Sequence, residues 1–282
     1  MSRLAGEGLK PFKATEFWWL CDQLGSPGSL LGRSAQDLAS ALGSVPGWAE
    51  RIAALVDRAT AVAFELERLE ASGLSVLNPF DAQYPPAFVA RLGVRAPPLL
   101  YVAGAPGLLN RAGLGAVGSR DVSFEGGQVA IEVGRRAVGM GVSLVSGGAR
   151  GVDRLAMNAA LDAGGTVVAM LAGSLAATVA KPELRRALRR GVTVLCSPYG
   201  SDVAFSAGNA LGRNKLIYAQ SLRTVVVACE SARGGTWAGA TEALRGEFGP
   251  VSVWRGPGEG DGNAGLEAMG ATPIRSMEEV QP

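Results

Sequence analysis

Histidine is absent from all 282 residues. Its absence removes Ser-His-Asp and Cys-His nucleophilic catalysis, imidazole proton shuttles and histidine-based metal sites from the functions open to the chain. Cysteine is scarce: Cys21, Cys196 and Cys229 lie far apart and form no CxxC pair, which excludes a disulfide framework and argues against a redox or metal motif. Cys196 and Cys229 each end an apolar run and read as small core residues. Long apolar runs are missing too, since none reaches the roughly 18 residues of a membrane span. The N-terminus carries Glu7 and polar residues before any apolar stretch, which is not the pattern of a signal peptide. A cytoplasmic protein is expected, with no membrane partner.

What is present points to a folded α/β chain. Hydrophobic residues make up 48%, and the 40 glycines show no three-residue period, so neither disorder nor a collagen-like repeat is expected. The net charge of +2 conceals a split: residues 1–110 sum to −1, residues 111–233 to +7 and residues 234–282 to −4. A basic middle hints at an anionic partner.

From Thr15 to about Ser72, apolar clusters recur at three- and four-residue spacing, interrupted at Gly25–Gly28 and Gly43–Gly47. This reads as a helical domain over residues 1–75, a bundle of three or four helices. Residues 76–112 form a bridge with one strand at Leu99–Val102. From Leu114 short β-branched runs (Leu114–Val117, Val142–Val145, Val167–Leu171, Val192–Cys196, Thr224–Cys229, Val251–Trp254) alternate with helical stretches near 124–139, 152–163, 182–190, 213–221 and 237–247. Apolar runs that do not alternate imply burial on both sheet faces. The fold class is therefore α/β: a doubly wound, mostly parallel Rossmann-type sheet over residues 76–282, bridge included.

Ligands in such folds bind beyond the carboxyl ends of the strands. The loops there carry Gly118-Ser119-Arg120, then Ser146-Gly147-Gly148-Ala149-Arg150-Gly151-Val152-Asp153, then Glu230 to Thr236 with Gly234 and Gly235 directly before a helix. Glycines admit close backbone approach and helix-start amides attract anions, so these loops read as a phosphate cradle. Arg120 and Arg150 would fork onto phosphate oxygens, and Thr236 would cap its helix while offering a hydroxyl. Asp153 has two readings, a structural anchor for Arg150 or Arg120, or a sugar ligand. Arg213, Asn214 and Lys215 open a further helix on the same edge. Neither GxGxxG nor GxxxxGK[ST] is present, which weakens both a dinucleotide enzyme and a P-loop ATPase. Arg185, Arg186, Arg189 and Arg190 fall on one side of a helix and read as a solvated face.

Together, Ala116 to Arg120, Ser146 to Asp153, Arg213-Asn214-Lys215 and Gly234-Gly235-Thr236 resemble the DprA/Smf family of DNA-processing proteins. The flanks Asp81–Pro85, Pro97–Tyr101 and Gly262–Ala271 agree, and the likeness runs in order over about residues 12–280. The resemblance implies an extended Rossmann domain preceded by a SAM-like helical domain. It implies binding of single-stranded DNA without catalysis, metal or cofactor, a homodimer, and RecA loading in recombination and natural transformation. By position it makes Arg120, Ser146, Gly147, Arg150, Arg213, Asn214 and Lys215 contacts to DNA phosphates, flanked by Gly234, Gly235 and Thr236. The chain departs from the family at Met157, where histidine is usual, and at Ala210-Leu211, where an aromatic stands; Phe205, Tyr199 and Trp237 are the nearby aromatics. No C-terminal winged helix is expected after Gly270. The competing reading is a nucleotide-binding or nucleoside-monophosphate phosphoribohydrolase-like protein of the wider superfamily, or a nucleotide sensor without turnover. Such hydrolases place a carboxylate three residues after the Gly-Thr turn; here Gly239 stands there, with Glu230 and Glu242 as possible substitutes.

Overall fold

A computed structural model describes residues 9–42 and 47–281. Glu7 and positions 43–46 of the expected turn lie outside the described residues. The chain opens with helices α1 (Ala14–Leu24), α2 (Ala35–Leu42), α3 (Trp48–Val56) and α4 (Ala59–Ala71). Leu20, Leu38, Leu42, Ala49 and Ile52 from the first three close a small core of their own. Helix α4 instead sends Leu69 into the core of the sheet, and the expected boundary at residue 75/76 falls inside strand β1 (Ser75–Leu77). Trp18 ties the bundle to the rest of the chain by donating from Nε1 to the Ala96 carbonyl at 2.8 Å.

The remaining elements follow as α5 (Pro86–Leu92), β2 (Leu100–Gly104), β3 (Gly113–Val117), α6 (Phe124–Gly139), β4 (Leu144–Ser146), α7 (Val152–Asp162) and β5 (Val167–Met170). After them come α8 (Leu175–Val179), α9 (Pro182–Arg189), β6 (Thr193–Ser197), α10 (Ala207–Gln220), β7 (Ser221–Val226), α11 (Gly234–Gly246), β8 (Val251–Trp254), α12 (Asn263–Ala268) and β9 (Thr272–Ile274). They build one nine-stranded sheet in the order β1-β2-β6-β5-β4-β3-β7-β8-β9. The seven strands from β6 to β9 in that order pair in parallel, while β1–β2 and β2–β6 are antiparallel. The fold is thus the α/β, mostly parallel Rossmann-like sheet that the uninterrupted apolar runs require.

Successive strand residues point to opposite faces, and both faces are covered. Leu114, Ala116, Leu144, Val167 and Ala169 pack with Val129, Val133 and Ala156 of α6 and α7, whereas Val117, Val145, Val168 and Met170 pack with Leu216, Ile217 and Ala240 of α10 and α11. Cys196 and Cys229 are buried in the second of these layers, and burial pushes the Cys196 thiol up to about 12, as expected of core residues. Strands β1 and β9, three residues each, escape sequence reading because they are too short to show a period, and β9 contains Pro273, which an edge strand tolerates. Helix α10 starts six residues before the expected 213, because Ser206 caps it by accepting from Asn209 N at 3.0 Å.

Candidate nucleic-acid interface

Strand order reverses between β3 and β7: the chain winds outward through β4, β5 and β6 on one side and through β8 and β9 on the other. The loops leaving β3, β4 and β7 meet at this switch point and, with α10, enclose a cleft of about 560 Å³.

The first two loops are locked together by glycines. A Cβ on Gly118 would stand 2.5 Å from Val152 Cγ2, so only glycine lets β3 end against the start of α7. Gly151, at φ +82°, lies under the carbonyls of Ser119 and Arg120, and Val152 N donates to Ser119 O at 3.2 Å. Gly148 takes the other left-handed corner at φ +70°. Asp153, in the first turn of α7, folds the second loop onto itself: its Oδ2 accepts from Gly147 N at 3.1 Å and Ala149 N at 3.3 Å. Burial holds this carboxyl above the usual range, opposed by the Arg213 cation and by the two loop amides.

Arg213 is the buried counterpart. It is only 5% exposed and donates from Nη1 to the carbonyls of Gly147, at 2.8 Å, and Met170. A Cβ on Gly147 would stand 2.7 Å from its guanidinium nitrogens, so the loop rests directly on the cation.

The third loop is fixed from behind, where Ser231 N donates to Asp261 Oδ1 at 2.9 Å and Gly260 and Gly262 pack against the Cys229 backbone. It turns through Ala232 at φ +54° and delivers Arg233, Gly234 and Gly235 to the N-terminus of α11. Asn214 reaches across from α10 and donates to Gly235 O at 3.0 Å. No side chain caps α11, so its first-turn amides and positive dipole end face the cleft.

These positions correct several expectations. Thr236 is the third residue of α11, whose N-cap is Arg233, so it lines the cleft without capping. Ser146 does not face a ligand: its hydroxyl is buried and donates to Ala116 O at 2.7 Å, because it ends a central strand under the loop. Gly147, Gly148 and Gly151 shape the loop from behind, and Arg213 supports it from below. Asp153 anchors backbone amides and not Arg150 or Arg120; Arg150 is exposed at the rim and pairs with Asp121 at 2.7 Å. Lys215 turns to the other side of α10, toward Glu242 and Arg95, and burial lowers its ammonium below the ordinary value. Glu242 therefore lies off the cleft as well, and Gly239 is packed against Asn214 Nδ2 at 3.0 Å from a built Cβ. Gly118, Ser119, Arg120, Asp153, Arg213, Asn214, Gly234, Gly235 and Thr236 do converge.

Sequence reading passed over Arg233 as a cation of the site. It is exposed at the cleft and stands one residue before the double glycine, which was the available signal. Of the three aromatics, Tyr199 is engaged with Asn209 O at 2.9 Å and Trp237 packs on Gly265. Phe205 is 56% exposed, and its ring lies 5.6 Å from the Arg120 guanidinium carbon.

A profile of the family described as DNA recombination-mediator protein A matches residues 75–281. A protein of Mycobacterium tuberculosis assigned as DNA processing protein DprA is 33% identical over 186 residues, 61% of this chain and 46% of that one, so the chain spans about half the length of this curated relative. The structure of DNA processing protein A from Streptococcus pneumoniae superposes with a TM-score of 0.70 at 21% identity, covering 96% of this chain and 98% of that one, and is a likeness of fold. DNA processing protein A from Helicobacter pylori, whose structure is described for its single-stranded DNA binding mode, gives a TM-score of 0.60 at 25% identity over 73% of this chain and 93% of that one.

Proposed function

The chain belongs to the DNA recombination-mediator protein A family, and from that membership we propose that it is a non-catalytic single-stranded DNA-binding protein. In this reading it protects the strand and assists RecA loading in recombination and natural transformation, as a cytoplasmic homodimer. The observation that carries the proposal is the convergence of the uncapped start of α11, the Gly118–Arg120 loop and the exposed cations Arg120 and Arg233 on one cleft at the switch point. Amides and guanidiniums take phosphate oxygens without reading sequence. Phe205, beside Arg120, offers the flat face on which a base stacks, in place of the aromatic that Ala210-Leu211 lacks. The Arg150–Asp121 pair is exposed and contributes little on its own, so a phosphate exchanges for the carboxylate at small cost. Arg213, Asp153, Ser146 and the loop glycines hold the shape of the site. The Helicobacter pylori relative, described for binding single-stranded DNA, supports the choice of ligand.

A second reading, hydrolysis of nucleoside monophosphates, is kept by one observation: Glu230 is an exposed carboxylate at the cleft. Against it stands Gly239, where such enzymes carry their carboxylate, already filled by Asn214.

A salt-titrated gel shift with single-stranded DNA, duplex and AMP as competitors separates the two. The expected result is preference for the single strand, with affinity falling steeply as salt rises. Salt-insensitive binding, or release of adenine from AMP, would overturn the proposal. Acceleration of RecA filament formation on the bound strand tests the partner.

A further inference from the structure

Glu230 is a carboxylate in a cleft whose other features attract anions. It follows β7 in the chain, is exposed, and lines the cleft together with Arg120 and Arg233. A negative charge there repels phosphate and so opposes its neighbours. Among the described residues it forms no ion pair with either arginine or with any other cation, and its side chain accepts no hydrogen bond. Nor does it serve α11: it stands three residues ahead of the Arg233 N-cap, outside the first turn in which an acid stabilises a helix.

The backbone that carries it is fixed. Cys229 Sγ donates to Glu230 O at 3.4 Å, and a Cβ on Gly262 would stand 2.8 Å from the Glu230 carbonyl. Two residues earlier Ala228 O accepts from Ser119 N at 2.9 Å, so Glu230 stands on the stretch that joins the Gly118–Arg120 loop to the start of α11. The same cleft has an apolar wall, where Ala207, Ala210 and the exposed Leu211 of α10 line it. At about 560 Å³ it falls within the range of sites that enclose small organic ligands, so it admits a whole nucleotide and not a phosphate alone. The amides and arginines suit the phosphate and the apolar wall suits the face of a base. Glu230 is the acceptor left for the edge of the base.

We propose that Glu230 reads the edge of a base and selects guanine in the bound strand. The proposal rests on the reading of the cleft as a single-stranded DNA site. An ionised carboxylate offers two acceptor oxygens and no donor. Guanine is the base whose pairing edge carries two adjacent donor nitrogens, N1–H and the N2 amino group, which the two oxygens match. Adenine and cytosine present one amino group there, and thymine one ring N–H. These edges are free to be read only where the strand is unpaired, so the same contact disfavours a duplex.

The test measures the affinity of four short strands for the full chain and for its Glu230→Ala variant. One strand is an oligothymidylate; in the others a central thymidine is replaced by deoxyguanosine, deoxyinosine or deoxyadenosine. On the parent the strand with guanine is expected to bind about 5- to 30-fold tighter than the oligothymidylate, the lower part of the range for a bidentate pair because the carboxylate is exposed. Inosine lacks the N2 amino group and should lose most of that gain, and adenine should show little of it. On Glu230→Ala the four strands are expected to bind alike. The variant should hold the oligothymidylate at least as tightly as the parent does, since a repelling charge is gone, which also shows that it is folded. A parent that binds the four strands equally would overturn the proposal, and a variant that strengthens all of them equally would reduce Glu230 to a repelling charge. A variant that keeps the guanine preference would overturn it too, because another group would then read the base. A parent chain that binds none of the strands would overturn the cleft reading and this proposal together.

Discussion

Replacing Arg213 with methionine removes a buried cation and leaves what it held: the carbonyls of Gly147 and Met170 and the buried carboxylate of Asp153. Two charge-assisted hydrogen bonds of roughly 1.5–3 kcal/mol each are lost. The charge attraction to Asp153 is lost as well, and stays below the ~4 kcal/mol of unit charges 4 Å apart at an effective dielectric constant of about 20. Methionine recovers part of this by packing, so a net loss of about 3–5 kcal/mol is expected, the usual cost of leaving a buried charge uncompensated. That is a large share of the ~5–15 kcal/mol that holds a typical domain folded. Urea unfolding should show it as a lower midpoint. The sign of its pH dependence follows from Asp153, whose carboxyl is raised by burial. Between the ordinary and the raised value the folded chain keeps a proton that the unfolded chain has released. The stability linked to this group is therefore present at low pH and lost as pH rises through that window. Removing Arg213 raises Asp153 further, so the deficit of the variant should shrink on acidification. Arg213→Met combined with Asp153→Asn should cost less than the two single changes summed. Additive losses, or a single-variant loss below about 1 kcal/mol, would refute the view that the cation carries the loop.

Three further outcomes are expected. Gly151→Ala forces a left-handed residue against the Ser119 and Arg120 carbonyls, so thermal unfolding should show a loss of at least roughly 1–3 kcal/mol together with weaker short-strand binding. Phe205→Ala should cost about 1–3 kcal/mol of binding, or roughly 5- to 150-fold in Kd by fluorescence anisotropy, with unfolding unchanged. Lys215→Gln should leave short-strand affinity within about twofold, whereas Arg120→Ala weakens it on every sequence, because Lys215 faces Glu242 and Arg95. Equal effects of the two changes would contradict the placement.

The sheet was legible because its strands are buried on both faces, which leaves short β-branched apolar runs such as Val167–Met170 spaced between longer helical stretches. The cleft was legible through glycine: Gly118, Gly151 and Gly234 mark close approaches or left-handed corners that other residues resist. Side-chain direction was not legible. Arg213 and Lys215 stand two residues apart on one helix and point to a buried loop and to an unrelated acid, since two helical residues are separated by about 200° of rotation. The family resemblance made Ser146 a phosphate contact by position, yet the strand it ends lies beneath the loop and its hydroxyl donates to Ala116 O. Thr236 looked like a cap because threonine favours that position, but the helix starts earlier, at the two glycines.

The phosphate cradle itself is best tested by titrating a short oligothymidylate into isotopically labelled protein and following backbone amide resonances. The amides of Gly118, Ser119, Gly234, Gly235 and Thr236 are expected to shift and saturate at one strand concentration, and to return when salt is raised. If these five stay in place while amides elsewhere saturate, the strand binds at another surface and the cleft is not its site.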